Sequence, residues 1–259
     1  MRVAILSDIH GNQFGLEAVL ADIESKNVDE YWFLGDYCFG GGQPAEVLET
    51  ISDLPSATFI YGNGDQYLIK PEYPSAEDLA TVEDSDTMKT VLNSWCDLSW
   101  TIGAIAKDGW LDWLRNLPLE VRRTLPDGTT VLLVHASPGT CEGGSLTPDL
   151  TDDVVRERFG MAEEDLIIIG HMHFVQDRRL DNKRLFNPGC VGKPIGKELR
   201  ASYAILDADD RGYSLTPYYV EYDTEAFLAQ LHQVNFPTPS YMEKFYRGNH
   251  VPPWDRQKA

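Results

Sequence analysis

Short apolar runs and helical patterns alternate along the first part of the chain. The runs are rich in β-branched and aromatic residues, which is typical of buried strands, and they fall at residues 3–6, 31–34, 58–61, 131–134 and 166–169. Apolar residues between Leu16 and Ile23 recur with a 3.6-residue period, and Pro44 is suited to the first turn of a second helix. The pattern therefore predicts a mixed α/β fold.

The segment 66–118 breaks this alternation and predicts a helical insertion. Ser75 is suited to cap a helix that runs through Leu79 and Val82, and the spacing of Trp110 and Trp113 predicts another. The tryptophans of this segment allow two interpretations, a lid that stacks on a ligand or core packing, and the helical spacing favours core packing. They are Trp95, Trp100, Trp110 and Trp113.

The C-terminal part has an antiparallel pattern. Residues 203–206 and 213–220 alternate on either side of a turn, which predicts a hairpin. An amphipathic helix is predicted over 225–234, and a tail follows at 237–259. Because no internal repeat or Gly/Ser-rich linker divides the chain, we expect a single domain over residues 1–259.

Polar side chains follow each of the first five apolar runs. In chain order they are Asp8 and His10, Asp36, Asn63, His135, and His171 with His173. Ligands bind at the carboxyl ends of strands in open α/β sheets, so we expect these groups to converge in one crevice. Imidazoles with carboxylates and an amide oxygen suit Mn, Fe or Zn, whereas an all-oxygen set would suit Mg or Ca. The ligands exceed the needs of one ion and predict about two, with a carboxylate bridging them.

The same residues fall in five short motifs: Asp8-Ile9-His10, Gly35-Asp36, Gly62-Asn63-Gly64-Asp65, His135 and Gly170-His171-Met172-His173. In this order they resemble the signature blocks of the calcineurin-like metallophosphoesterase superfamily. The stretch Asn187-Pro188-Gly189-Cys190-Val191-Gly192 resembles a loop that follows in its small prokaryotic phosphoesterase branch. The resemblance implies a four-layer αββα sandwich, of α+β or α/β class, with a helical insertion and a binuclear metal centre.

The resemblance also implies a role for each ligand. Asp8, His10 and His173 would hold one ion, Asn63, His135 and His171 the other, and Asp36 would bridge both. The ions would be two divalent or trivalent transition metals, manganese first, with iron or zinc as alternatives. A hydroxide bridging them would hydrolyse a phosphate ester or anhydride. Asn63, His135 and Asp36 are therefore the predicted catalytic residues, the first two stabilising charge on the phosphoryl oxygens.

The sequence departs from the phosphoprotein phosphatases of this superfamily at three positions. Gly64 replaces a histidine that is taken to protonate the leaving group, and Phe39 and Gly40 replace an Asp and an Arg. Without a protein-donated proton, a poor leaving group departs more slowly, typically by ~10²–10⁴-fold. The departures favour a phosphodiester, a nucleotide or a dinucleoside polyphosphate over a phosphoprotein.

Three further residues are predicted to contact the substrate. Gly64 removes bulk above the metals, and Arg178 and Lys193 could contact outlying phosphates. We expect the substitution Gly64→Ala to change the hydrolysis of small substrates little.

The chain is strongly acidic, with 41 Asp and Glu against 22 Lys and Arg and a formal charge of −19. Such a surface repels polyanions, so we expect a small phosphorylated substrate, no stable nucleic-acid partner and no membrane partner. Two alternatives remain open: a non-catalytic scaffold or regulatory protein with the same fold, and a nuclease. Four well-separated cysteines, no signal peptide and no apolar run approaching ~18 residues predict a cytoplasmic protein.

Overall fold

The computed structural model describes residues 1–82 and 84–255. The elements of the first half are β1 (Arg2–Leu6), α1 (Gln13–Glu24), β2 (Glu30–Phe33), α2 (Pro44–Ser52), β3 (Ala57–Phe59), α3 (Asn63–Ile69), α4 (Ala76–Ala80), α5 (Ser85–Ile105), α6 (Trp110–Arg115), β4 (Glu120–Thr124) and β5 (Thr130–Val134). Those of the second half are α7 (Asp152–Phe159), β6 (Leu166–Ile169), β7 (Val175–Leu180), β8 (Lys183–Pro188), β9 (Ala201–Asp209), β10 (Gly212–Val220), α8 (Thr224–Gln233) and α9 (Pro239–Tyr246).

Within these residues the strands form two five-stranded mixed sheets. The first has the order β10-β9-β1-β2-β3, with β1, β2 and β3 parallel and the β9–β10 hairpin antiparallel to them. The second has the order β4-β5-β6-β8-β7, with β5, β6 and β8 parallel between two antiparallel edge strands. The parallel strands of each sheet therefore end together at one edge.

Alternate residues of each central strand face different layers. In β1, Val3 and Ile5 join the core between the sheets, where they meet Leu133 of β5, whereas Ala4 and Leu6 face α1 and α2. The second sheet packs its other side against α7. These layers form the four-layer αββα sandwich that the resemblance implied, so the predicted fold class is confirmed.

The five predicted strands and the hairpin are present, but elements with weak apolar patterns were not predicted from the sequence. The edge strands β4 and β7 contain the pairs Arg122-Arg123 and Arg178-Arg179, which obscure any apolar run. The helix capped by Ser75 ends at Ala80 and does not reach Val82, because the backbone N–H of Thr81 bonds back to the preceding turn.

The helices α3 to α6 lie between β3 and β4; α4 to α6 fall within the segment 66–118 predicted as an insertion, whereas α3 begins before it, at Asn63. Trp113 packs edge-on against Phe59, with ring centroids 5.1 Å apart, and Trp100 packs on Phe236 at 5.2 Å. These contacts favour core packing for most of the tryptophans, whereas Trp95 lines an open cleft. In the tail, α9 packs on α8, and residues 256–259 lie outside the described part. No helix of the described residues is long and apolar enough to cross a membrane.

Candidate metal centre

The seven predicted ligands meet at the edge where the parallel strands of both sheets end. The loop after β1 supplies Asp8 and His10, the loop after β2 supplies Asp36, α3 begins with Asn63, the loop after β5 supplies His135, and the loop after β6 supplies His171 and His173. Asp8, Asp36 and His135 are at most 3% exposed. The structure therefore brings all seven predicted residues into one site.

Five of the seven ligands have a left-handed backbone, which is uncommon for residues other than glycine. The φ angles are 57° at Asp8, 49° at His10, 58° at Asp36, 70° at His171 and 53° at His173. Each such residue costs of the order of ~1–3 kcal/mol unless the surroundings impose the conformation. Backbone hydrogen bonds between the loops do so, including His10 N–H to the Asp36 carbonyl at 2.9 Å.

Glycines next to the ligands allow the loops to approach closely. A Cβ at Gly62 would lie 2.2 Å from Asp36 Oδ1, and a Cβ at Gly170 would lie 2.2 Å from Ser7 Oγ and 3.1 Å from Asp8 Oδ2. Neither distance of 2.2 Å is sterically possible. A side chain at Gly62 would displace the loop of Asp36, whose backbone nitrogen would lie only 2.6 Å from the Cβ, and one at Gly170 would displace the Ser7 hydroxyl that donates to Asp8.

One group of ligands surrounds Asp8. Potential ligand atoms of Asp8, His10, Asp36 and His173 all lie within 4.8 Å of one another. His173 Nε2 lies 3.2 Å from Asp8 Oδ1, and His10 Nε2 lies 3.6 Å from Asp36 Oδ2. Asp8 Oδ1 is buried and has no hydrogen-bond partner among the described residues. An unpartnered buried carboxylate oxygen is costly unless a cation binds it.

In this group the Nε2 lone pairs of His10 and His173 point toward each other. His10 Nδ1 donates to the Phe39 carbonyl at 2.5 Å, and His173 Nδ1 donates to the Lys193 carbonyl at 2.6 Å. A carbonyl only accepts, so in the neutral rings Nε2 carries the lone pair. Yet the two Nε2 atoms lie 3.1 Å apart, a repulsive arrangement that a shared cation would relieve. The donor set therefore fits a metal ion.

A second group of ligands surrounds Asn63. Its Oδ1 lies 3.1 Å from His135 Nε2 and 2.8 Å from His171 Nδ1. His135 Nδ1 donates to the Leu34 carbonyl at 2.6 Å, so Nε2 of the neutral ring again presents a lone pair. Asp36 Oδ1 lies 3.6 Å from that same Nε2. This second donor set also fits a cation, and it shares Asp36 with the first.

The protonation states of His10, His171 and Asp8 suit cation binding at neutral pH. Burial is the largest cause that lowers the pKa of His10, to about 3, and that of His171, to about 4. Burial acts in the opposite direction on Asp8, but the neighbouring histidines, His173 first, hold its pKa well below the usual range. These imidazoles are thus neutral and the carboxylate is charged, which are the forms that ligate a metal.

Comparison with known proteins identifies the family. The sequence profile of the calcineurin-like phosphoesterase superfamily domain matches residues 1–211. The chain belongs to this superfamily. Membership supports the hydrolysis of phosphoester bonds as its activity, and together with the buried Asp/His cluster it supports divalent metal binding.

Individual members of the superfamily extend this likeness. The chain is 31% identical over 237 residues to an uncharacterized protein of Methanocaldococcus jannaschii, covering 85% of this chain and 88% of that protein. The crystal structure of a metallophosphoesterase from Sphaerobacter thermophilus is 26% identical, with a TM-score of 0.72 over 96% of this chain and 99% of that one. A symmetrical bis(5'-nucleosyl)-tetraphosphatase of Delftia acidovorans is 28% identical over 138 residues, 52% of this chain and 44% of that protein.

Asp65 holds the ligand loops of this superfamily member together. The sequence did not reveal this role, although Asp65 is the fourth residue of the motif Gly62-Asn63-Gly64-Asp65. Its buried carboxylate accepts hydrogen bonds from the backbone N–H groups of Asp36 at 2.7 Å, Gly62 at 2.9 Å and Tyr37 at 3.0 Å. Burial, followed by the charge of Asp36, raises the pKa of Asp65 to about 7. The carboxylate fixes the loop of Asp36 to the start of the helix that presents Asn63.

The three predicted substrate contacts differ in their placement. Lys193 lies at the site, where its backbone carbonyl accepts the hydrogen bond from His173 Nδ1. Burial lowers the pKa of the Lys193 ammonium group, although the charge of Asp36 acts in the opposite direction. Arg178 has other partners, since its guanidinium donates to the Leu150 carbonyl at 2.9 Å and to the carboxylate of Asp152. These hydrogen bonds do not favour a contact between Arg178 and substrate.

A side chain at position 64 would have less space than the sequence suggested. The N–H of Gly64 donates to Asp36 Oδ1 at 2.7 Å, and a Cβ there would lie 3.0 Å from the same oxygen and 3.3 Å from Phe39 Cβ. The position therefore offers little free space above the ligands. An added methyl group would press on the Asp36 carboxylate, so the structure instead predicts a loss of activity for Gly64→Ala.

Proposed function

We propose that this superfamily member is a binuclear metal-dependent hydrolase of small phosphorylated molecules, namely phosphodiesters, nucleotides or dinucleoside polyphosphates. The observation that carries the proposal is the position of Asp36, whose two carboxylate oxygens face different ligand groups. Oδ2 lies 3.6 Å from His10 Nε2, and Oδ1 lies 3.6 Å from His135 Nε2. A carboxylate in this position is suited to bridge two cations.

We infer that each ligand group holds one ion. Asp8, His10 and His173 hold the first, Asn63, His135 and His171 the second, and Asp36 contributes one oxygen to each. The nitrogen-rich donor set suits manganese first, with iron or zinc as alternatives. When bound, two such ions would acidify a water molecule and offset charge on the phosphoryl oxygens.

The residues of the chain position the reacting groups. The carbonyls of Leu34, Phe39 and Lys193 orient the imidazoles by accepting their Nδ1 hydrogens. Asn63 and His135 are placed to stabilise negative charge that develops on a phosphate bound at the second group.

The leaving group receives no proton from position 64. Gly64 has no side chain where the phosphoprotein phosphatases have an acid. An anhydride or an aryl ester can leave as a stable anion without a proton, whereas a serine alkoxide cannot. This chemistry is the basis for proposing diesters, nucleotides and dinucleoside polyphosphates over phosphoproteins, and the likeness to the tetraphosphatase supports it.

The charge of the chain supports a small substrate. A body of formal charge −19 repels a long polyanion, while two divalent ions would outweigh the charges of Asp8 and Asp36 at the site itself. We propose accordingly that nucleic acid is not a stable partner. If short oligonucleotides bound with a steep salt dependence and were cleaved, the nuclease alternative would replace this proposal.

The test is turnover by chelator-stripped protein reloaded separately with Mn²⁺, Fe²⁺, Zn²⁺ or Mg²⁺. Substrates are bis(p-nitrophenyl) phosphate, a dinucleoside tetraphosphate, an alkyl monoester and a phosphoserine peptide. We expect metal-dependent hydrolysis, fastest with Mn²⁺, that favours the first two substrates over phosphoserine by about 10²-fold or more. Absence of turnover with every metal would overturn the proposal and support the scaffold alternative.

A further inference from the structure

A cleft of about 470 Å³ opens beside the ligand groups, between the helical insertion and the loop that follows β5. Phe39 and Tyr67 form the wall nearest the ligands, and Val91, Trp95 and Leu98 of α5 contribute the opposite wall. The volume lies within the range of pockets that bind small molecules, roughly 300–1,000 Å³. None of the seven metal-ligand residues lines this cleft.

Phe39 and Tyr67 connect the cleft directly to the metal ligands. The Phe39 carbonyl holds His10, while its ring packs edge-on to that of Tyr67, with centroids 6.5 Å apart. Tyr67 lies one helical turn after Asn63 on α3, and its hydroxyl donates to Glu142 at 2.5 Å. A group bound in the cleft would therefore adjoin a phosphate held at the ligand groups.

The lining of the cleft suits an uncharged ring better than a second phosphate. Among the described lining residues Lys70 is the single cation, and it is outnumbered by the carboxylates of Glu72 and Glu142. The walls are otherwise aromatic and aliphatic, with hydroxyl and amide groups between them. Trp95 is half-buried and packs against Tyr73 on one side, at 4.8 Å between ring centroids. Such walls stack well on planar rings.

We propose that this cleft binds a planar aromatic substituent of the substrate, a nucleobase or an aryl group, while the phosphate lies at the ligand groups. The inference rests on the proposed function, since it names the part of the substrate that the insertion recognises. Phe39 and Trp95 supply the stacking surfaces, and Ser94 lies on the α5 side of the opening.

Binding of three phosphate monoesters tests the proposal without requiring turnover. Calorimetry on the Mn²⁺-loaded protein measures Kd for methyl phosphate, phenyl phosphate and adenosine 5'-monophosphate. We expect the two aromatic esters to bind at least about 5-fold more tightly than methyl phosphate, because stacking on an aromatic side chain is worth that much or more. Tighter binding of the adenosine ester than of phenyl phosphate identifies a nucleobase as the natural occupant, and equal binding identifies a general aryl site.

Three variants locate the effect. Ser94→Phe fills the cleft from an exposed helix position and should remove the preference for aromatic esters, with the Kd for methyl phosphate unchanged. Leu92→Phe adds the same ring to an exposed position of α5 that does not line the cleft, and should retain the preference. Trp95→Ala should raise the Kd of the aromatic esters alone, by about 5-fold to 10-fold.

The inference is overturned if the wild-type protein binds all three esters equally, or if Ser94→Phe keeps the preference. Failure of the proposed function gives a different result. In that case methyl phosphate would show no Mn²⁺-dependent binding, and no phosphoester would be hydrolysed with any metal.

Discussion

The ligand loops and the helical insertion differ in how tightly their side chains are held. The loops place buried polar side chains on left-handed backbone, and fixed backbone partners orient the imidazoles, as at His135 and His173. The insertion presents half-exposed rings such as Trp95 on a regular helix, and a glycine within it, Gly103, has no neighbour within 4 Å of where a Cβ would lie. The ligand loops are suited to catalysis, which requires reacting groups to be placed within a fraction of an ångström. The insertion is suited to substrate recognition, which tolerates small movements of side chains.

The largest effect is expected at the carboxylate that both ligand groups share. Asp36→Asn keeps the size of the side chain but removes its charge and replaces one acceptor oxygen with a donor. We expect kcat to fall by about 10³-fold or more, equivalent to about 4 kcal/mol, and at least one metal ion to be lost. Kinetics and elemental analysis of the purified variant measure both. Full activity with both ions retained would contradict a bridging role for Asp36.

Two glycine substitutions compare the regions directly. Gly62→Ala would place a Cβ 2.2 Å from Asp36 Oδ1, so the ligand loop must move. We expect a loss of about 10²-fold in kcat, since displacing a reacting group by about 1 Å has that effect, and a decrease in the free energy of unfolding of about 1–3 kcal/mol from overpacking. Steady-state kinetics and urea unfolding measure the two quantities.

Gly103→Ala is the matched substitution in the insertion. Gly103 lies inside α5 with open space around it, so the methyl group meets no neighbour. Replacing a helical glycine by alanine should raise the free energy of unfolding by about 0.5–1 kcal/mol and leave kcat unchanged. Equal effects of the two glycine substitutions would show that the regions do not differ in tolerance.

The sequence predicted the ligand loops far better than the insertion, and the reason is physical. A ligand such as Asp36 must follow a buried strand, and both the apolar run and the polar residue after it are visible in the sequence. The cleft depends on how α5 packs against α3, and neither Trp95 nor Tyr67 differs in sequence from an ordinary core aromatic. The role of Asp65 was hidden for another reason, because it acts on backbone N–H groups that every residue near it possesses.

Asp65→Asn tests how far the rigidity of the loops depends on one side chain. The variant replaces an acceptor oxygen with an N–H₂ group, which would face at least one of the three N–H donors that Asp65 now satisfies. Changes of this kind around metal ligands typically cost 10–100-fold in metal affinity or activity. We expect about that loss in Mn²⁺ affinity, measured by titration. Glu164→Gln changes a carboxylate far from the ligand loops in the same way and should leave Mn²⁺ affinity unchanged.

Only a small effect on activity is expected where the insertion meets the tail. Asp97 of α5 is buried and accepts from Thr238 Oγ1 at 2.6–2.7 Å; burial raises its pKa to about 6, opposed by Thr238 and the charge of Lys193. Because the folded pKa exceeds the ordinary value of 3.8, the folded state binds the proton more tightly. The resulting stability is complete below pH 4 and is lost as the pH rises to about 6.

Asp97→Asn removes this titration but keeps a side chain that can bond to Thr238. We expect the free energy of unfolding of the wild-type protein, relative to that of the variant, to fall by about 1–3 kcal/mol between pH 4 and pH 6 and then to level. Urea unfolding of metal-free protein at intervals of half a pH unit measures this difference, and kcat at pH 7 should change less than about 3-fold. Parallel stability profiles for the two proteins would show that the junction between insertion and tail does not respond to pH through Asp97.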